Sequence, residues 1–436
     1  MAAIAEELSS GGPIERRAPR VAMSVATVAV VASALLIYVS QAFMITEILG
    51  IKRLMQVLLI VPIAVAACYY FVSHPGRFFD PLIGFSIVKL ATEIVLRGQL
   101  SYILDSLASV FALMVLACAP AQSFRAGVKL LVTFAGTMAL MALTQWAMIM
   151  EDPGLVKFVI EVSDDGAIIN TIEHPIAVLA LHGDQDYTLL GRPVVRMQSF
   201  AKEPSLNVIY FMLPACLAFF LKSWSARLWG GVMLAYCVLS LSGSVFLSLA
   251  FSGVMWLMLF VFPVRFALPY GMLGLMGGFL FAVKFFGLEP LMNAFEYLSQ
   301  YGDFFHKGAS LTDRTGGAIL NTGAALASPW GSATISDIPG PWLINSALAA
   351  GWLGVLLLIL FLVGLGRQLD LFYANSRLRS ARGLGVLLLL GALAMVVVFN
   401  DYQMDGYAGL ILLAFIYRTI QLRNQGDGTE QRRLAT

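Results

Sequence analysis

Twelve long apolar segments constrain this chain more than any other feature of its sequence. A helix needs about 20 consecutive apolar residues to cross a bilayer, and lipid offers an exposed backbone no hydrogen bonds. The chain of 436 residues is 59% hydrophobic and only 12% charged, whereas a soluble domain carries about 25% charged residues. The sequence therefore predicts an all-α fold, a polytopic membrane bundle of about 12 transmembrane helices. The apolar segments cover residues 21–45, 54–72, 80–96, 101–119, 128–150, 204–221, 228–242, 245–262, 267–286, 342–365, 384–400 and 403–419.

The first apolar segment follows Arg16, Arg17 and Arg20, an arrangement also found in secretory signal peptides. The segment continues to about Ile45, whereas a cleaved signal peptide has an apolar region of only about 7–15 residues. We therefore expect it to remain in the protein as the first transmembrane helix.

The distribution of lysine and arginine predicts the orientation of the bundle, because cytoplasmic loops are enriched in both. With twelve helices and a cytoplasmic N-terminus, 17 of these residues fall on the inner side and nine on the outer side. Six of the nine lie in two long outer loops, where the rule weakens. Both termini are therefore predicted to be cytoplasmic.

The two long outer loops differ from the other connections in length and composition. Each has some fifty residues that mix glycine, proline, aromatic and charged side chains, and loops of this length are usually functional or disordered. We expect them to be ordered. The predicted organisation is an inner tail at 1–20, helices at 21–150, an outer loop at 151–203, helices at 204–287, an outer loop at 288–341, helices at 342–419 and an inner tail at 420–436.

Several classes of function are disfavoured by composition. The net charge of +2 is not accompanied by a basic run, so we expect no nucleic-acid partner. The four cysteines lie inside apolar segments and the four histidines are scattered, so we expect neither a disulfide framework nor a metal site. No cofactor is predicted.

The first outer loop ends in a candidate anion site. Arg196 and Lys202 precede Pro204 and Ser205, where a membrane helix begins. Proline favours the first helical position, and a helix N-terminus with nearby basic residues suits a phosphate or diphosphate. Local features alone favour the alternative that the charges only anchor the helix at the membrane surface.

The second outer loop and one membrane segment hold further charged candidates. Asp313 and Arg314 lead into a glycine-rich stretch, and His306 lies just before them. The planar guanidinium group suits bidentate binding of phosphate, although a solvated loop with one ion pair is the alternative. Within the segment 80–96, Lys89 and Glu93 are four residues apart, and we expect them to pair with each other.

The order of these elements resembles that of the bacterial O-antigen polymerase and O-antigen ligase superfamily. Residues 196–205 resemble its Arg, aromatic, Glu-Pro-Ser segment, and residues 239–244 resemble a Leu-Thr-x-Ser-Arg-Gly stretch without its basic residue. Asp313-Arg314 with Pro329-Trp330-Gly331 resembles its arginine-led outer loop, and Gly351 and Gly354 match the glycines that close it. The resemblance covers residues 196–354, and the helix count extends it along the chain.

The resemblance implies a metal-independent glycosyltransferase of the bacterial inner membrane. It would polymerise polyprenyl-diphosphate-linked oligosaccharide units at the periplasmic face, with flippase and chain-length-control proteins as partners. Arg196, Lys202 and Arg314 would bind the diphosphate of donor and acceptor lipids. Glu203 or Asp313 would act as the general base, with His306 as a weaker candidate.

One difference between this sequence and the superfamily's pattern helps to choose between the polymerase and ligase activities. Ligases carry a histidine about eleven residues before the first closing glycine, a position that Gly340 occupies here. This favours a polysaccharide polymerase over a ligase-like glycan transferase. A transporter or flippase of lipid-linked sugars is the alternative from another class, although no inverted repeat is evident.

The charge distribution yields a prediction about membrane topology. In a variant without its four native cysteines, single cysteines at Asp165 and Ser310 should react with an impermeant maleimide in intact cells. A cysteine at Ser380, in the basic connection between the last helices, should react only after the cells are permeabilised. Labelling of position 380 in intact cells would contradict the orientation.

Overall fold

A computed structural model describes most of the chain. The described residues are 20–39, 52–151, 159–164, 167–173, 181–189, 192–197, 206–240, 242–287, 289–290, 293, 297, 320–332, 341–374, 381–399, 404 and 406–435. In the four segments between 159 and 197, only the backbone is described.

Each of the twelve predicted apolar segments contains a helix. We number these helices α1 to α12, and a further short helix covers residues 320–327. The twelve helices are α1 (Arg20–Val39), α2 (Lys52–Ser73), α3 (Pro81–Thr92), α4 (Leu100–Cys118), α5 (Ala121–Glu151), α6 (Val208–Phe220), α7 (Trp224–Leu239), α8 (Gly243–Met258), α9 (Val264–Phe286), α10 (Trp342–Ala374), α11 (Ala381–Phe399) and α12 (Tyr407–Ala435).

Not all of these helices qualify individually as membrane spans. In the described part of the chain, α2, α4, α5, α9, α10 and α11 are long and apolar enough to cross a membrane, and α7 with α8 would add a seventh span if taken together. The axes of α7 and α8 differ by 117° across a short break. The chain is thus a helical membrane protein, and the number of twelve spans stays a prediction.

Local sequence determines where α3 begins and ends. The Asp80 carboxylate accepts a hydrogen bond from the Leu82 N–H at 3.1 Å, and Pro81 occupies the first helical position. Both are favourable at a helix start, where the first N–H groups have no partner within the helix. After Thr92 the chain makes a π-helical turn, Glu93–Arg97, which ends at Gly98 with a φ of 66°.

One end of the bundle carries basic residues, among them Arg125 and Lys129 of α5 and Arg423 of α12, and we call it the basic end. The starts of α1 and α5 meet there, where the Thr27 hydroxyl donates to Ser123 Oγ at 2.9 Å. The later parts of α10 and α12 also meet, where Asn424 Nδ2 donates to the Gln368 carbonyl at 2.9 Å.

The opposite end carries the long connections, and we call it the loop end. There the Tyr38 hydroxyl near the end of α1 donates to the Tyr210 carbonyl in α6 at 3.4 Å. Gln56 in α2 donates to the Tyr407 hydroxyl at the start of α12 at 3.0 Å. The contacts at both ends agree with helices that run alternately up and down.

The connection between α5 and α6 contains four strands, which the prediction of an all-α chain omitted. They are β1 (Val159–Asp164), β2 (Ala167–Glu173), β3 (Leu181–Leu189) and β4 (Arg192–Met197). They form an antiparallel sheet in the order β1-β2-β3-β4, and β4 contacts α5. The prediction is therefore correct for the membrane helices and wrong for this outer segment. The sheet-forming signal was Asp165-Gly166, a dipeptide that favours two-residue hairpins.

Small residues let α8 and α11 approach closely. A methyl group at Gly391 of α11 would overlap the Ser248 carbonyl oxygen and the Ser252 side chain of α8. In lipid, helices associate largely through such close packing, because the hydrophobic effect gives little advantage to contact between apolar surfaces. The glycine is therefore a requirement of this interface.

Substituting Gly391→Ala should destabilise the protein by roughly 1–3 kcal/mol, the usual range for overpacking of a core. SDS titration and thermal unfolding of the purified protein would measure the change. Gly253→Ala on α8 is the matched control, because no atom lies within 4 Å of the added methyl. The control should unfold like the parent protein or be slightly more stable, since alanine favours a helix over glycine. Equal effects at the two positions would contradict the close packing.

Candidate functional site

The residues predicted to bind and transfer the sugar lie almost entirely outside the described residues. Arg196 is the next-to-last residue of β4, where the backbone alone is described. The other five, Lys202, Glu203, His306, Asp313 and Arg314, fall in the undescribed segments. Their grouping around a diphosphate stays a prediction.

The described residues do form a polar junction at the loop end, built around Arg97. Its Nη1 makes an ion pair with Oε1 of Glu93. Its Nε donates to the Ser332 carbonyl at 3.0 Å, and its Nη2 donates to the Leu348 carbonyl at 3.0 Å. One guanidinium group therefore joins the end of α3, the segment after residues 320–327 and α10. We call this arrangement the Arg97 junction.

The Arg97 junction is buried. The side chains of Arg97 and Glu93 are 2% and 1% exposed, and Glu93 Oε2 has no hydrogen-bond partner among the described residues. From the sequence, Glu93 was predicted to pair with Lys89, four residues earlier, and that pairing stays a prediction. In the structure Arg97, four residues later in the π-helical turn, forms an ion pair with Glu93.

A break in α10 explains why the Leu348 carbonyl is available to accept a hydrogen bond from Arg97. Gly351 has φ 65° and ψ −177°, which interrupts the helical hydrogen bonds around it. The Trp352 N–H donates instead to the Pro329 carbonyl at 3.0 Å, and the Leu348 carbonyl accepts from the Ser332 N–H at 2.8 Å. The segment 328–332 thus pairs with the broken helix. Only glycine fits at 351, because a Cβ there would lie 2.7 Å from the Pro329 oxygen.

This contact brings together two elements that sequence analysis grouped by resemblance. Pro329-Trp330-Gly331 lies directly against Gly351, the first of the two closing glycines. The indole N–H of Trp352 adds a hydrogen bond to the Ala325 carbonyl at 3.2 Å. The end of the second outer loop is therefore anchored to the membrane helices.

A second polar group lies where α6 begins, and we call it the Asn207 cluster. The Tyr236 hydroxyl donates to Asn207 Oδ1 at 3.3 Å, and the Ser240 hydroxyl donates to the Cys237 carbonyl at 2.7 Å. Asn207 Nδ2 and Ser242 Oγ are buried and have no hydrogen-bond partner among the described residues. The cluster joins the start of α6, just after Glu203 and Ser205 in the chain, to the bend between α7 and α8.

The Asn207 cluster and the Arg97 junction share one property, which is buried polar atoms at the loop end. Trp342 Nε1 and Ser346 Oγ, near the start of α10, are also buried without a partner among the described residues. Buried polar groups are normally satisfied, so these atoms mark places where water or a polar ligand can bind. The sequence does not reveal these atoms, because whether a polar side chain is buried and paired depends on tertiary packing.

Comparisons with known proteins place no further constraint on the site. No protein-family model, curated protein or solved structure matches the chain. Within the described part of the chain, no group of three or more histidine, cysteine, aspartate or glutamate side chains could hold a metal ion.

Replacing Arg97 with alanine should be strongly destabilising. The substitution leaves the Glu93 charge buried without its cation, and removing one partner of a buried pair typically costs about 3–5 kcal/mol. Arg97→Lys should lose less, because it keeps the charge but cannot reach both carbonyl groups with a planar fork. An SDS titration of each purified variant in detergent would measure both changes in the free energy of unfolding.

A double variant tests how much of this loss of stability comes from the unpaired charge of Glu93 and how much from the lost hydrogen bonds of Arg97. Glu93→Gln/Arg97→Gln removes both charges and should recover part of the stability that Arg97→Ala loses. An Arg97→Ala protein as stable as the parent would mean that the ion pair does not hold this junction together.

Proposed function

We propose that this protein is a membrane glycosyltransferase that polymerises polyprenyl-diphosphate-linked oligosaccharide units. The reaction takes place at the loop end, which we assign to the periplasmic face of a bacterial inner membrane. The basic end, with both chain termini, is assigned to the cytoplasm, in line with the excess of lysine and arginine there.

The observation that carries this proposal is the docking of segment 328–332 onto the break at Gly351. The resemblance to O-antigen polymerases predicted an outer loop that ends at a closing glycine. The hydrogen bonds between Pro329, Ser332, Leu348 and Trp352 support that arrangement. They hold the end of the loop that contains Asp313 and Arg314.

The proposed catalytic residues are close in sequence to described residues at the loop end, which supports their location at that end of the bundle. Glu203 lies three residues before Leu206, where α6 is anchored by the Asn207 cluster. Arg314 lies six residues before Leu320, the start of the helix that leads into the Arg97 junction. Since an extended chain spans at most about 3.3–3.6 Å per residue, connectivity limits the separation from these points to roughly 11 Å for Glu203 and roughly 22 Å for Arg314.

The proposed chemistry needs stabilisation of a leaving diphosphate. The acceptor hydroxyl attacks the anomeric carbon of the donor sugar, the bond from that carbon to the phosphate oxygen breaks, and the diphosphate leaves with the electron pair. Arg196 and Arg314, supported by Lys202, would hold the developing negative charge. Glu203 is the first choice to accept the proton of the attacking hydroxyl, with Asp313 and His306 as the other candidates.

A flippase of lipid-linked sugars is the second candidate, and one observation favours it. Transporters commonly contain discontinuous helices, and this chain has a break at Gly351 and a bend of 117° between α7 and α8. A flippase would move the lipid-linked sugar across the membrane without joining units. A ligase-like transferase would instead pass the glycan to a different acceptor.

The purified protein should convert a lipid-linked oligosaccharide into a ladder of longer products without any nucleotide sugar. Glu203→Gln should lower the rate roughly 10²–10⁴-fold, the usual contribution of a general base, while the protein still folds and inserts. Arg196→Ala and Arg314→Ala should each abolish most of the ladder. Gel electrophoresis of the released glycans would measure the products.

Arg192→Ala is the matched control for Arg196→Ala. It also removes one positive charge from β4, but at a residue outside the proposed diphosphate site. It should retain near-parental activity. Near-normal rates from Glu203→Gln, Asp313→Asn and His306→Ala would mean that none of the three acts as the general base. Stabilisation of the leaving diphosphate by the arginines would then account for the rate. Translocation of a fluorescent lipid-linked sugar in proteoliposomes with no ladder would favour the flippase.

A further inference from the structure

The outer surface of the bundle has a groove at the basic end, away from the site of the proposed reaction. Its volume is about 710 Å³, within the range of sites that hold a small organic ligand. It lies where the end of α8 turns back into the start of α9, and we call it the α8–α9 groove. Among the residues that line it are Met258, Phe262, Phe266, Tyr270, Gly271 and Gly274.

Glycines on α9 create this recess. Gly271 and Gly274 lie about one turn apart and both line the groove. A Cβ at Gly271 would lie 3.0 Å from the terminal methyl group of Met258, whereas a Cβ at Gly274 would have no atom within 4 Å. Beside Gly274 there is therefore space that none of the described residues fills.

The groove is apolar and faces the bilayer. No described residue that lines it carries a charge, and Phe262, Phe266 and Tyr270 are exposed along it. The helix α9 is long and apolar enough to cross a membrane. An apolar recess of this kind excludes water, and atoms that line an empty space lose dispersion contacts. Lipid acyl chains surround the protein at that depth, so an acyl chain is the occupant that restores these contacts.

A cation lies at the mouth of the groove, at the start of α9. The guanidinium carbon of Arg265 is 5.0 Å from the ring centroid of Phe266, which lines the groove. Arg265 Nε is 3.8 Å from Oδ2 of Asp370 on α10, whose Oδ1 accepts a hydrogen bond from the Val264 N–H at 3.1 Å. Asp370 thus fixes the start of α9, while the Arg265 side chain is still 54% exposed. Its planar fork can bind phosphate oxygens at the membrane surface.

The length of the groove matches one leaflet. Gly274 lies nine residues after Arg265, which corresponds to roughly 14 Å along a helix axis. One leaflet contributes about half of the hydrocarbon thickness of about 30 Å. A phosphate at Arg265 would therefore leave one acyl chain with the length of the groove to follow.

We propose that the α8–α9 groove binds a phospholipid from the leaflet at the basic end. Arg265 holds the headgroup phosphate, and one acyl chain lies over Gly271 and Gly274 between the aromatic side chains. This inference does not depend on the proposed glycosyltransferase activity, which is assigned to the opposite end of the bundle.

Photo-crosslinking of the full chain in phosphatidylcholine liposomes can test the proposal. The probe is phosphatidylglycerol with a diazirine in one acyl chain, and mass spectrometry of peptides locates the attached lipid. The peptides that contain residues 258–275 should carry most of it. Diacylglycerol with the same photoactive chain should be captured there about five times less, because it lacks the phosphate that Arg265 binds.

Two variants separate the acyl chain from the headgroup. Gly274→Leu fills the groove and should lower capture of the phosphatidylglycerol probe roughly tenfold, within the usual cost of overpacking a filled site. Gly278→Leu is its matched control, because a Cβ there also has no atom within 4 Å and the residue lies one turn beyond Gly274 on α9. Arg265→Gln should lower capture about fivefold, whereas Lys129→Gln, which removes an exposed cation of α5 at the same end, should leave it unchanged.

Equal loss from Gly274→Leu and Gly278→Leu, or equal capture of the two photoactive lipids, would overturn the proposal. Displacement of the probe by millimolar inorganic phosphate would show a site for the free anion instead. In a variant without the native cysteines, disulfide-linked dimers of Gly274→Cys that carry no captured lipid would identify a second copy of the chain as the occupant.

Discussion

The loop end depends on satisfying backbone groups that lipid cannot satisfy. An interrupted helix at membrane depth is tolerated only where protein or water supplies the missing hydrogen bonds. Here the break at Gly351 frees the Leu348 carbonyl and the Trp352 N–H, and segment 328–332 bonds to both. Arg97 adds a second donor to the Leu348 carbonyl and brings its own counter-ion, Glu93. The interruption, the docked segment and the ion pair therefore form one interdependent unit.

The two ends of the bundle differ in chemistry. Among the described residues, the loop end buries neutral hydrogen-bonding groups and the ion pair of Glu93 with Arg97. The basic end instead has a cavity with largely apolar walls, which four cationic side chains also line. Polar groups are therefore buried deep within the packing at one end and lie around an open cavity at the other.

The sequence predicted the membrane helices well because their signal is strong and local. Each apolar segment contains a helix, since no other open structure satisfies a backbone in lipid. The sheet at 159–197 was missed, because its hairpin signals are brief and lie within a segment rich in charged and turn-forming residues. Arg97 follows directly after the apolar segment 80–96, and sequence spacing does not reveal that a π-helical turn carries it inward.

Prediction of the candidate site from the sequence is limited for a different reason. Gly351 was identified only by resemblance, because glycine is frequent in membrane helices and its positive φ leaves no mark in the sequence. Glu93 was predicted to pair with Lys89, but Arg97 is equally spaced from Glu93. The ion pair of Arg97 with Glu93 depends on the additional hydrogen bonds of Arg97 to Ser332 and Leu348, which are far away in sequence.

The close approach of α8 and α11 at Gly391 has a mechanical consequence. α8 packs mainly on α11, whereas its chain neighbour α7 packs on α5 and α6. α11 also packs on α6, so the two sides of the bend are joined through α11 as well as through the chain itself. The Asn207 cluster lies on the α6 and α7 side of this bend. A change that moved α11 away from α8 at Gly391 would therefore also disturb the packing of α6, which carries Asn207 at its start.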